Sequence, residues 1–279
     1  MYRRLWDARY HREYFLLYPE NKTTWKAPSG NRNEVIEPPR VNIASDVPGV
    51  SMALVTGGGF EFSLNAGSIM TGAGVAEEDM EVAAGRRTSI ASELKRYPPA
   101  FFKASDSRRR PILKTVCLCV DLKCGGNKRH HVHDHITGCL YVDIKRRDEL
   151  WEKRTLHHEL WHGVDFSVLG ARYEHEEDVE FSKHNPADFR YGSGGSQMRF
   201  RSGKTSSGSD ASSPDPSCFV NLYSTASVAE DRAETWSICM TRPEVVKKQP
   251  ESALAKKASV LISRACRIAQ WEGDPLDPS

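Results

Sequence analysis

The chain has 279 residues, 39% of them hydrophobic and 27% charged. That is the composition of a globular protein with room for one large domain, or a catalytic domain with a smaller companion. A formal charge of +2 gives no general attraction to nucleic acid or membrane, and no stretch reaches the length of a membrane span. The start, Met1 to Asp7, lacks the apolar run of a secretory signal. Seven cysteines without the spacing of a small disulfide protein favour a reducing, intracellular setting, although export without a signal would leave the same sequence.

In chain order, residues 1–72 read as an N-terminal extension, β-rich where legible. An aromatic start (Tyr10, Tyr14, Phe15, Tyr18) is followed by a loop-like stretch from Asn21 to Arg40, rich in Pro, Asn and charge. Two apolar runs, Val50 to Thr56 and Phe60 to Leu64, flank Gly57-Gly58-Gly59 and predict a β-hairpin. No Lys-Ser/Thr pair follows these glycines, so they are not a phosphate loop. From residue 73 the chain reads as one domain. A helix is expected from Val75 to Arg96, stopped by Pro98-Pro99. Strands are expected over Ile112 to Leu122 and over Gly138 to Ile144. The second of these is the expected edge along which an extended peptide is laid. A long helix is predicted from Asp148 to Gly170, then a turn-rich loop containing Asn185-Pro186-Ala187-Asp188-Phe189-Arg190-Tyr191-Gly192. The Ser/Gly/Pro/Asp-rich stretch 202–217 reads as a flexible insert. Two further helices are expected, from Val228 to Met240 and from Glu251 to Gln270.

The long helix carries His158-Glu159-Leu160-Trp161-His162, an H-E-x-x-H pattern. Residues four apart stack on one helix face, so both imidazoles can reach a single ion. Glu159 then flanks the open coordination position, where a carboxylate can take a proton from metal-bound water. A catalytic zinc needs a third protein ligand. Glu230, Ala233 and Glu234 share one face of the 228–240 helix, with Glu230 as the expected ligand and Glu234 as the acid that holds the tautomer of a ligating imidazole. Asp165 is a rival for the third ligand, with support of the site as its preferred role. The elongated pattern with a third histidine is ruled out by Val168 at that place. His157 is expected to be exposed or packed.

A second cluster holds Cys117, Cys119, Cys124, His130, His131, His133, His135 and Cys139. It offers a structural zinc site, but it has no C-x2-C pair, and Cys117 and Cys119 read as small hydrophobes on one strand face. Its histidine-rich stretch reads as a loop beside the active-site cleft, where contact with substrate is an alternative role.

H-E-x-x-H followed by Tyr-x6-Glu-x3-Glu (Tyr223, Glu230, Glu234) resembles the catalytic domain of anthrax lethal factor and related zincin metallopeptidases with a glutamate ligand. The Asn-Pro-x-Phe-x-Tyr-Gly and Glu-Asp-x-Ala-Glu segments resemble a further group of zinc metallopeptidases. The likeness runs from Glu93-Leu94-Lys95-Arg96-Tyr97-Pro98 to Met240, about half the chain. It implies an α+β zincin-like domain, a small mixed sheet with active-site helices, over residues 73–279. It implies one catalytic zinc on His158, His162 and Glu230, with Glu159 as general base and Tyr223 stabilising the oxyanion. It also implies a protein or peptide substrate. Two other classes compete: a catalytically silent binding module of the same fold, and a DNA-associated protease of the SprT type. The second calls for a third histidine and a basic tail, whereas the tail here, Glu272 to Asp277, is acidic.

Overall fold

The computed structural model describes residues 38–64, 68–103, 111–145, 148–170, 173, 177–192 and 215–277. The readings made on residues 1–37, and on all but the last three residues of the 202–217 insert, lie outside the described residues.

The fold is α+β, built on a mixed sheet. Its centre is strand β5 (Thr115–Cys124). Along its first half, β5 lies between β2 (Ser51–Val55) and β8 (Cys139–Asp143), parallel to both. The outer strands there are β1 (Arg40–Ile43), antiparallel to β2, and β7 (His131–Asp134), antiparallel to β8. Along its second half, β5 pairs with β4 (Ile69–Ala73) and β6 (Asn127–Lys128), with β3 (Gly59–Ser63) outside β4. The change of partners comes where Asp121 takes φ 53° and the β4 register shifts between Thr71 and Ala73. An aspartate tolerates that left-handed backbone better than most residues.

Two sequence expectations change here. The runs around Gly57-Gly58-Gly59 do not form a hairpin: β2 pairs with β1 and β5, while β3 pairs with β4. Gly57 does turn the chain, at φ 84°, but the strands after it belong to the other half of the sheet. The boundary expected after residue 72 cuts through β4, and residues 38–72 share the sheet with β5.

Alternation in β5 loads both faces. Val116, Leu118 and Val120 join the core under the helices, while Cys117, Cys119 and Leu122 join a second apolar cluster on the opposite face. Burial on both sides explains why β5 reads as a nearly continuous apolar run.

The helices are α1 (Met80–Leu94), α2 (Glu149–Leu169), the short α3 (Val179–Ser182), α4 (Val228–Thr241), the short α5 (Glu244–Lys247) and α6 (Ala253–Ala269). Local chemistry sets the ends of α2. Asp148 accepts from Trp151 N at 2.9 Å, Glu149 and Glu152 sit at the positive end, and Gly170 closes the helix at φ 69°. Ser227 caps α4 by accepting from Glu230 N at 3.2 Å. Helices α2 and α4 pack through Trp161 and Trp236, both fully buried, with ring centroids 4.8 Å apart.

Candidate metal centre

His158 and His162, one turn apart on α2, turn their Nε2 atoms to within 3.0 Å of each other. Glu230, in the first turn of α4, brings Oε2 to 3.2 Å from His158 Nε2 and 3.3 Å from His162 Nε2. Small residues permit the approach, since Ala229 and Ala233 on α4 are both buried. The other oxygen of Glu230 accepts from the Tyr223 hydroxyl at 2.7 Å. Tyr223 stands on a 3₁₀ turn, Tyr223–Thr225, just before α4.

Glu234 lies one turn beyond Glu230. Its Oε1 is 3.0 Å from His158 Nδ1, and its Oε2 accepts from Arg154 and from Asn221, each at 2.8 Å. An ionised carboxylate only accepts hydrogen bonds, so Glu234 favours a proton on His158 Nδ1. His158 Nε2 is left to face Glu230 Oε2, and in the neutral imidazole it would present a lone pair there. Two acceptors held this close need a cation or a proton between them. Ligand atoms arranged tetrahedrally around a divalent ion at about 2.0–2.2 Å stand about 3.3–3.6 Å apart, close to the spacing observed. Among the described residues this is the group of three or more metal-ligating side chains whose donor atoms converge. It can hold a metal ion.

Charge reinforces the geometry. With a proton rather than a cation between His158 and Glu230, burial opposes the charge on His158, but hydrogen bonds to Glu230 and Glu234 outweigh it and raise its pKa well above 6.5. Burial likewise pushes Glu230 up, yet hydrogen bonds to His158 and His162 hold it well below the usual carboxylate value. Glu159 has no such bonds from the imidazoles, and burial raises its pKa. A carboxylate raised toward neutrality is suited to accepting and returning a proton.

Compared with known protein families, curated proteins and solved structures, the chain matches none.

Of the residues singled out in the sequence, His158, His162, Glu230, Glu234 and Tyr223 meet at one place. Asp165 does not join them. Its Oδ2 accepts from Arg232 Nε and Nη2, both at 2.9 Å, because the fully buried Arg232 guanidinium needs anionic partners. Arg232 also bonds Asp178 at 2.9 Å and the Tyr173 carbonyl at 3.3 Å. On the neighbouring face of α4, Asp231 accepts from Lys257 and from the Tyr191 hydroxyl, both at 2.7 Å. The Asn-Pro-x-Phe-x-Tyr-Gly segment is thereby docked on α4, with Gly192 N also donating to Thr225 O at 3.0 Å.

The cysteine and histidine cluster does not converge. Cys117, Cys119 and Cys139 pack with Val132 on the sheet face away from the helices. Alternation along β7 turns His131 and His133 to the other side, where His133 Nδ1 meets Glu159 O at 3.1 Å. The histidine-rich segment is thus a strand rather than a loop, and β7 replaces the expected Gly138 to Ile144 segment as the sheet edge beside α2. His157 is fully buried.

Sequence reasoning missed Arg154, Asn221 and Tyr173. Arg154 had a signal, standing four residues before His158 on the same helix face. Tyr173, whose ring centroid lies 5.6 Å from that of His162, had none.

Proposed function

We propose that this chain is a zinc-dependent peptidase with a zincin-like fold, acting on a protein or peptide substrate. The observation that carries the reading is the convergence of His158 Nε2, His162 Nε2 and Glu230 Oε2 at 3.0–3.3 Å. Two imidazoles and a carboxylate are a zinc hydrolase donor set. Zinc held by His158, His162 and Glu230 would supply Lewis acidity and lower the pKa of a water to about 7.

The chain's own groups do the rest. Glu159, placed by α2 beside both imidazoles, accepts the proton of the attacking water and returns it to the leaving amine. The Tyr223 hydroxyl, now on Glu230 Oε1, is a donor near enough to turn to the oxygen on which charge develops; removing one such donor costs about 100- to 1000-fold in kcat. Glu234, steadied by Arg154 and Asn221, keeps His158 in the tautomer that offers Nε2. Among the described residues β7 pairs with β8 alone, so its outer edge offers a ladder to an extended peptide.

Metal analysis of wild type, Glu159→Gln and Glu230→Ala, paired with a proteome-derived peptide library, tests the reading. One zinc per chain in wild type and Glu159→Gln, loss from Glu230→Ala, and cleavage by wild type alone are expected. Zinc without cleavage would instead mark a silent binding module. Equal zinc in Glu230→Ala would remove the third ligand.

A further inference from the structure

Behind the three converging side chains runs a second polar chain that the hydrolytic reading leaves unused. Trp236 Nε1 donates to the Tyr97 oxygen at 3.0 Å. The Tyr97 hydroxyl lies 2.6 Å from His157 Nδ1. His157 Nε2 lies 3.1 Å from Glu93 Oε2, which also accepts from Arg96 at 2.8 Å. The proton positions follow from the ends. An indole N–H can only donate, so the Tyr97 oxygen accepts from it and passes its own proton toward His157 Nδ1. That leaves the histidine proton on Nε2, facing a carboxylate. Direction is therefore fixed from Trp236 through Tyr97 and His157 to Glu93.

All four side chains are buried, and a buried network with every member satisfied resists the loss of any one. Its members come from α1 and the turn after it (Glu93, Tyr97), from α2 (His157) and from α4 (Trp236). His157 adjoins the ligating His158, and Trp236 stands two residues beyond Glu234. The chain thus bridges the helix that brings two imidazoles and the helix that brings the carboxylate, one layer behind the site.

We propose that Tyr97 and Glu93 are positioning residues for the metal site, holding the separation of α2 and α4 at which His158, His162 and Glu230 converge. The inference rests on the reading of that cluster as a zinc site. Metal–ligand distances are tolerated only within about 0.2 Å, so a small shift between the two helices removes a donor. Tyr97→Phe is the sharpest probe. It keeps the ring contacts with Phe101, Phe102 and Trp271 at 4.5, 5.8 and 5.5 Å, but it orphans the Trp236 N–H and His157 Nδ1.

The test uses the full chain as wild type, Tyr97→Phe, Glu93→Ala, Glu93→Gln and a control, Val246→Ala, which thins the core at a buried position without touching the polar chain. Zinc dissociation constants come from chelator competition well below the melting temperature, and cobalt-substituted protein reports coordination geometry through its visible absorption. Tyr97→Phe and Glu93→Ala are expected to weaken zinc about tenfold and to shift the cobalt bands. Glu93→Gln, which keeps an oxygen acceptor for His157, stays closer to wild type. Val246→Ala melts earlier yet keeps wild-type affinity and spectrum. Should Tyr97→Phe fail to fold, Glu93→Ala carries the same comparison. Wild-type affinity and spectrum in the folded variants would overturn the positioning role and leave the zinc reading standing. A wild type that binds no zinc would overturn both.

Discussion

Gly163, the residue after His162, marks the contact that seats α2 on β7. A Cβ built there stands 2.6 Å from His133 Cε1, 3.2 Å from His133 Nδ1 and 3.0 Å from Ile112 O, where carbon contacts settle at about 3.5–4.0 Å. Gly163→Ala must therefore lift the helix or swing His133 away from Glu159 O. Overpacking of this kind costs about 1–3 kcal/mol, and losing the His133 hydrogen bond adds about 1 kcal/mol. Better helix propensity returns about 1 kcal/mol. The net loss is about 2 kcal/mol, or about 4–8 °C in Tm for a domain of this size. His133→Ala removes two of the three close atoms, so in that background the glycine substitution should cost less. Urea denaturation of the four proteins closes the cycle, with an expected coupling of about 1 kcal/mol. A Gly163→Ala protein as stable as wild type, or strict additivity, would show that this contact does not set where His162 stands.

Glu234→Ala frees His158 Nδ1 and should weaken zinc by about 10- to 100-fold, read by chelator competition; unchanged affinity would remove its supporting role. Zinc at 100 times its dissociation constant should stabilise the chain by about 2.7 kcal/mol, and a Tm that ignores both zinc and chelator would argue against binding to the folded state. Asp231 and Lys257 have fully buried side chains, so Asp231→Asn, which strands the ammonium, should cost about 3–5 kcal/mol; the double variant Asp231→Leu/Lys257→Met should recover most of that in chemical denaturation. Burial alone would raise the Glu93 carboxyl, but hydrogen bonds from His157 and Arg96 hold it at about 2, against 4.5 for an ordinary glutamate. Its contribution to stability is complete above pH 4.5 and is lost as pH falls toward about 2; Glu93→Gln should flatten the acid limb of a stability–pH curve over that window, and parallel curves would contradict this.

What could be read from sequence was what local chemistry decides. Helix α2 spans Glu149–Leu169, within a residue of the range expected from Asp148 and Gly170, because a side-chain cap and a left-handed glycine act within a few residues. Glu230 and Glu234 were legible because four-residue spacing on α4 repeats that of the imidazoles on α2. Pairing over long separations was not. Gly57-Gly58-Gly59 announced a turn, but nothing nearby told that β2 would pair with β5, more than fifty residues on. β7 does not announce itself as a strand, since four histidines in six residues carry little apolar alternation; contacts of His130 with Trp151, His133 with the Glu159 carbonyl and His135 with Phe166 give them their places. The partner of Asp165 was not legible, because Arg232 lies on a different helix and no spacing links them.

Three consecutive residues of α4 reach in three directions: Glu230 to the imidazoles, Asp231 to Lys257 and Tyr191, and Arg232 to Asp165 and Asp178. Successive side chains on a helix diverge by about 100°, so these partners encircle the axis. A helix held only by apolar packing has leeway to roll as its neighbours change size; α4 cannot roll in either sense without stretching at least one of these bonds. Its angular setting is therefore keyed, and neutral drift in the surrounding core should leave the aim of Glu230 untouched for as long as all three attachments survive together.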